Sequence, residues 1–125
     1  MKVGDVYLFE TDKALGFDSR KKYHVFICAG DWLVDHTFLF LSKADYGGGF
    51  AITRETYPFL TLDVSFISCG SIVTYSDDEL VASAPRRVGR LTQADVRALH
   101  DAIAASQTME GRHILRLCKA LRAAF

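Results

Sequence analysis

Arg20, Lys21 and Lys22 stand in a row in the run SRKKYHVFIC, residues 19–28, and His24 follows two positions later. Three cations beside an imidazole can do anion chemistry. A guanidinium stays charged and grips two oxygens at once, and an imidazole titrating near pH ~6.5 can carry a proton. The same run also reads as a solvated loop leading into an apolar strand, with His24 as a structural group. His36, just after Asp35, is a second imidazole and equally closes a turn. His24 is preferred as the proton carrier because it adjoins the cation cluster.

Other candidate groups are weaker. Cys69-Gly70-Ser71 has no strand-to-helix turn after it to expose a nucleophile. Gly47, Gly48 and Gly49 form a flexible tip, but no Gly-Lys-Ser/Thr follows to complete a nucleotide-binding loop. Cys28, Cys69 and Cys118 are odd in number and widely spaced, which argues against a zinc ribbon or disulfide framework and suggests buried, reduced thiols. Trp32, Tyr46, Phe50, Tyr57 and Phe59 fall in or beside loops. Tyr57 and Phe59 flank Pro58 in an apolar run and read as core, while Trp32 and Tyr46 stay open as a stacking surface.

The chain that must position these groups has 125 residues, half of them apolar, which fits one compact domain with a real core. It offers no span of about 18 apolar residues for a membrane helix, and its start lacks the apolar stretch of a secretory signal; a cytoplasmic protein is expected. The formal net charge is zero, which argues against a protein that coats nucleic acid generically. The charge is nevertheless polarised: residues 1–80 carry seven cations against twelve acids, and residues 81–125 carry eight against three. Either the two parts attract each other, or the basic part meets a partner.

The first two thirds punctuates as an all-β unit. Residues 3–10 alternate, with Val6, Leu8 and Glu10 on one face and Asp5, Tyr7 and Phe9 on the other. Residues 23–30 and 36–42 are short, rich in β-branched and aromatic residues, and read as strands buried on both sides. A short strand follows at 50–53, and a long one at 64–76 is expected to break or bulge at Gly70. Five strands without helices between them predict a small barrel or strongly curled sheet over residues 1–80. The period then changes. Thr92 with Asp95 resembles a capping box, and Val96, Leu99 and Ile103 recur at helical spacing, predicting a helix over 91–106 and a second over 109–123.

In this order the segments resemble the MazF/PemK-type toxin family. The resemblance covers roughly residues 4–106 and rests on GDVYLF near the start, RKKYHVFIC running into a buried strand, HTFLFLS ending in a hydroxyl residue, VSFISCGSIVTYSDDEL, and VGRLTQADVRALHDAI. It implies a small SH3-like β-barrel with one or two C-terminal helices in a single domain. It further implies metal-independent, sequence-selective cleavage of single-stranded RNA, with no cofactor. Such cleavage has the 2′-hydroxyl attack its own phosphate, so one proton is taken up, another delivered, and added negative charge stabilised. Carried onto this sequence, the phosphate-stabilising arginine falls on Arg20 and the strand-end hydroxyl on Ser42. His24 would handle a proton, with Lys21, Lys22, Trp32 and Tyr46 holding RNA. A homodimer and a small acidic antitoxin are the implied partners.

An SH3-like module that binds a protein or nucleic acid without catalysis is the alternative, as is a phage-defence or counter-defence protein on the same barrel. The absence of the family's Arg-Pro pair before the second strand favours this reading, and so does the acidic first part, which repels a phosphate backbone.

Overall fold

The computed structural model describes residues 1–14, 18–30, 35–46 and 48–125. Seven strands are found there: β1 (Asp5–Thr11), β2 (Arg20–Ala29), β3 (His36–Ser42), β4 (Phe50–Thr53), β5 (Val64–Ile67), β6 (Val73–Tyr75) and β7 (Arg86–Arg90). They form an antiparallel sheet in the order β4-β5-β3-β2-β1-β7, with β6 also paired to β3, curled into a half-barrel. Three helices complete the fold: α1 (Asp77–Ser83), α2 (Gln93–Ala104) and α3 (Gly111–Arg122). The mainly β architecture with C-terminal helices agrees with the sequence pattern. Among the described residues no helix is long and apolar enough to cross a membrane.

The central strands are buried on both faces, which explains their nearly unbroken apolar runs. On one face Val6, Val25, Ile27 and Leu39 pack under Leu99 and Ile103 of α2 and Leu117 and Leu121 of α3. On the other, Tyr7, Phe9, Phe26, Phe38, Val73 and Tyr75 form an aromatic layer against Leu80 of α1. Tyr57 belongs to the first cluster and Phe59 packs against it, so both are core as expected. Cys69 and Cys118 are buried thiols and Cys28 is half-buried. Burial pushes the Cys69 thiol up to about 11, which keeps it unreactive at neutral pH.

The segment over 64–76 breaks around Gly70 as expected, into two strands: β5 pairs with Leu41 and Ser42 of β3, and β6 pairs with His36 to Phe38 at the other end. Between them, a Cβ on Gly70 would stand 2.7 Å from the Thr108 hydroxyl, so the chain turns there beneath the segment joining the last two helices. Other expected boundaries need correction. The sheet does not end at residue 80 but at Arg90, because β7 adds to the outer edge of β1. The element between, α1, carries a complete capping box: Ser76 accepts from Glu79 N–H, and the Glu79 carboxylate accepts from Ser76 N–H. Thr92 does cap α2, but the Asp95 carboxylate accepts from the Tyr57 hydroxyl instead of closing a box.

The β1 to β7 seam accounts for part of the charge polarity. Asp5 is buried, and its Oδ1 lies 2.9 Å from Arg90 Nε and 3.3 Å from Arg87 Nε, while Oδ2 accepts from the Lys2 N–H at 3.0 Å. Burial opposes the charge on Asp5, but these donors outweigh it and hold the carboxyl below its usual range. Two C-terminal cations are thus used inside the molecule. Both arginines are partly exposed, so Asp5→Asn is expected to cost about 1–2 kcal/mol at pH 7, read by urea unfolding. A carboxyl with a lowered folded pKa stabilises fully above its unfolded value and loses that contribution as pH falls through the folded one. The gap between wild type and Asp5→Asn should therefore close below about pH 4; a gap that stays constant would show that the carboxylate charge contributes nothing.

Candidate functional site

Strands β2 and β3 run antiparallel with His24 opposite Phe40 and Val25 opposite Leu39. Side chains alternate along a strand and directly paired residues share a face. Arg20, Lys22 and His24 therefore lie on one face with Phe38, Phe40 and Ser42. The β2–β3 ladder ends at His24 and Phe40, and Lys22 and Ser42 each lie two residues beyond that end on their own strands. On the other side of β2, Arg20 pairs with Thr11 and Lys21 with Glu10 of β1.

The fold thus brings Arg20, Lys22 and Ser42 to one end of one face and turns Lys21 to the opposite face. The Lys22 ammonium sits 4.8 Å from the Phe40 ring centroid. Burial first, then the charge of Arg20, lowers its pKa from the ordinary lysine range. The two like charges thus stand at the same end of β2 and act on each other. Ser42 pairs with Phe66 of β5 and is half-buried.

Tyr46 is 80 % exposed in the segment after β3, and with Ser42, Gly48, Gly49 and Phe66 it borders a small cavity of about 40 Å³. The Asp45 carboxylate holds that segment, accepting from Gly48 N–H at 2.8 Å and Gly49 N–H at 2.6 Å. Trp32 lies outside the described residues.

His24 is not at the surface with the cations it adjoins in sequence. Its side chain is fully buried, stacked on Phe9 with ring centroids 3.8 Å apart and ringed by Phe38, Phe40 and Tyr75. Both nitrogens are engaged: Nδ1 lies 2.8 Å from the Lys22 carbonyl and Nε2 lies 2.8 Å from the Tyr75 hydroxyl. Burial pushes its pKa down to about 3, so the ring is neutral at physiological pH. Exchange of a proton with a bound substrate, the role expected from sequence, is therefore corrected to a structural one. His36 bonds Asp77 at the start of α1, Nε2 to Oδ1 2.6 Å.

A larger cavity, about 830 Å³, opens along the edge of β1 beyond the point where β7 stops. Phe9, Glu10, Thr11 and Lys21 border it, with Tyr75, Glu79 and Arg86. Lys13 at its margin is tied down: its ammonium lies 2.9 Å from Glu79 and donates to the Thr74 carbonyl at 2.7 Å.

Thr11 and Tyr75 are the polar residues that sequence reasoning passed over. Each sits in an apolar strand run, and the one usable signal was that a buried His24 would need hydrogen-bond partners. The chain matches no family model and no curated protein.

Proposed function

We propose that this protein is a toxin-like endoribonuclease of a type II toxin-antitoxin pair, cutting single-stranded RNA without a metal. The observation that carries the reading is the common placement of Arg20, Lys22 and Ser42 on one face at one strand end. Arg20 there stabilises charge on the scissile phosphate and Ser42 orients it by hydrogen bonding. With His24 withdrawn, Lys22 takes the proton-donating place, since its lowered pKa makes it a better acid than an ordinary lysine. Tyr46, exposed beside Ser42, offers a face for a base to stack on. A homodimer neutralised by a small acidic antitoxin goes with this reading.

The burial of His24 favours a second reading, a non-catalytic SH3-like module for a protein or nucleic acid, as in a phage-defence or counter-defence protein. One experiment separates them. Wild type, Arg20→Ala and Ser42→Ala are incubated with a long single-stranded RNA in EDTA and the cut ends mapped. Discrete cuts bearing 2′,3′-cyclic phosphate, lost in Arg20→Ala and weakened in Ser42→Ala, are expected. Intact RNA with folded wild-type protein on several RNAs would leave the binding module.

A further inference from the structure

We infer that Tyr75, acting with Thr11 through the buried His24, positions the Arg20 and Lys22 cation pair; the functional meaning of this rests on reading that strand end as the RNA-contacting one. The groups form one chain of hydrogen bonds with a single consistent direction. A carbonyl can only accept, so His24 Nδ1 carries the proton and donates to the Lys22 carbonyl at 2.8 Å. The neutral ring then leaves Nε2 bare, and it accepts from the Tyr75 hydroxyl at 2.8 Å. Having given its one proton to His24, the Tyr75 oxygen accepts from the Thr11 hydroxyl, 2.7 Å away. The Thr11 oxygen in turn accepts from the Lys13 N–H at 3.0 Å.

Both outer ends of this chain lie where the cations stand. One end fixes the peptide of Lys22, whose ammonium reaches over Phe40. The other fixes Thr11, the residue directly across from Arg20. A Phe at position 75 would fill the same aromatic slot among Phe9, Phe38 and His24, so packing alone does not require the hydroxyl. A fully satisfied buried polar chain instead selects one arrangement of the strands that carry it, because each alternative strands a donor or acceptor away from water. Tyr75 and Thr11 touch no substrate in this scheme; they are positioning residues.

The test compares wild type with Tyr75→Phe, Thr11→Val and the conservative Thr11→Ser, each first checked for folding by circular dichroism. Lys22 is then titrated by carbon NMR at its Cε, and RNA cleavage is measured on the same samples. Thr11→Ser should match wild type in both. Tyr75→Phe and Thr11→Val should remain folded and move the Lys22 titration upward, as the cations separate and the ammonium meets water. Their kcat should fall about tenfold with KM changed by less than about twofold, the pattern of a displaced group and not of lost binding. An unmoved Lys22 titration in Tyr75→Phe would overturn the inference whatever the RNA does, as would unchanged cleavage where wild type cuts. If wild type cuts nothing but Lys22 still shifts, the ribonuclease reading falls and the positioning chain stands.

Discussion

Acidifying the protein from pH 6.5 to about 4 is expected to remove about 3 kcal/mol of its stability, close to 1.4 kcal/mol per pH unit, through His24 alone. The folded imidazole has its pKa pushed down to about 3, against an unfolded value near 6.5. Between those two values the unfolded chain binds a proton that the folded chain refuses. Stability therefore falls as pH falls through that window and levels off below it. Protonation is refused because the ring is fully buried, stacked on Phe9, and already donates and accepts one hydrogen bond each. Urea unfolding at half-unit pH steps measures the limb. His24→Gln, which cannot titrate, should start less stable at pH 7 yet lose much less between pH 6.5 and 4. An equally steep limb in that variant would trace the acid sensitivity to other groups.

The second large effect is steric. Gly89 lies in β7, and a Cβ there would meet Phe59 Cε2 at 2.6 Å and Cδ2 at 2.7 Å. The ring cannot retreat easily: it leans on Tyr57 and Tyr23 at centroid distances of 5.9 and 5.8 Å, and the Phe59 carbonyl accepts from the Tyr23 hydroxyl at 2.9 Å. Gly89→Ala should cost about 2–3 kcal/mol, the upper part of the range for forcing a methyl into a filled core. Reducing the ring should relieve the clash, so the double variant Gly89→Ala with Phe59→Leu should be more stable than the two single costs added together. Strict additivity in a chemical denaturation cycle would show that Phe59 is not what keeps position 89 a glycine.

The elements that local pattern specifies were legible. β3 and β4 fall on the expected residues, and α2 and α3 lie within two residues of their expected ends. β7 was hidden because Arg86, Arg87 and Arg90 break the apolar alternation, and the strand exists by pairing with β1 and neutralising Asp5, far away in the chain. α1 was hidden by its seven-residue length, too short for a helical period to show, although its Ser76 and Glu79 cap was in plain view. Of the candidate site, the alternation along SRKKYHVFIC already puts Arg20, Lys22 and His24 on one face. The depth at which that face goes under was not legible: it is set by the stacking of Phe9 and by Tyr75, 51 residues away from His24 in sequence.

The pairing of the first strand with the seventh fixes the order of events as the chain is made. β1 leaves the ribosome first and meets β2 soon after, yet its outer edge lacks a strand partner and the Asp5 carboxylate lacks its two arginines until Arg87 and Arg90 have been synthesised. At about 5–20 residues per second, that interval lasts several seconds. During it, an open strand edge with a charge poised for burial stays exposed to other chains. Residues 81–125 are thus the closing part of the sheet and not an appendage to a finished barrel, and a nascent chain halted near residue 80 would display β1 as a free edge to other chains.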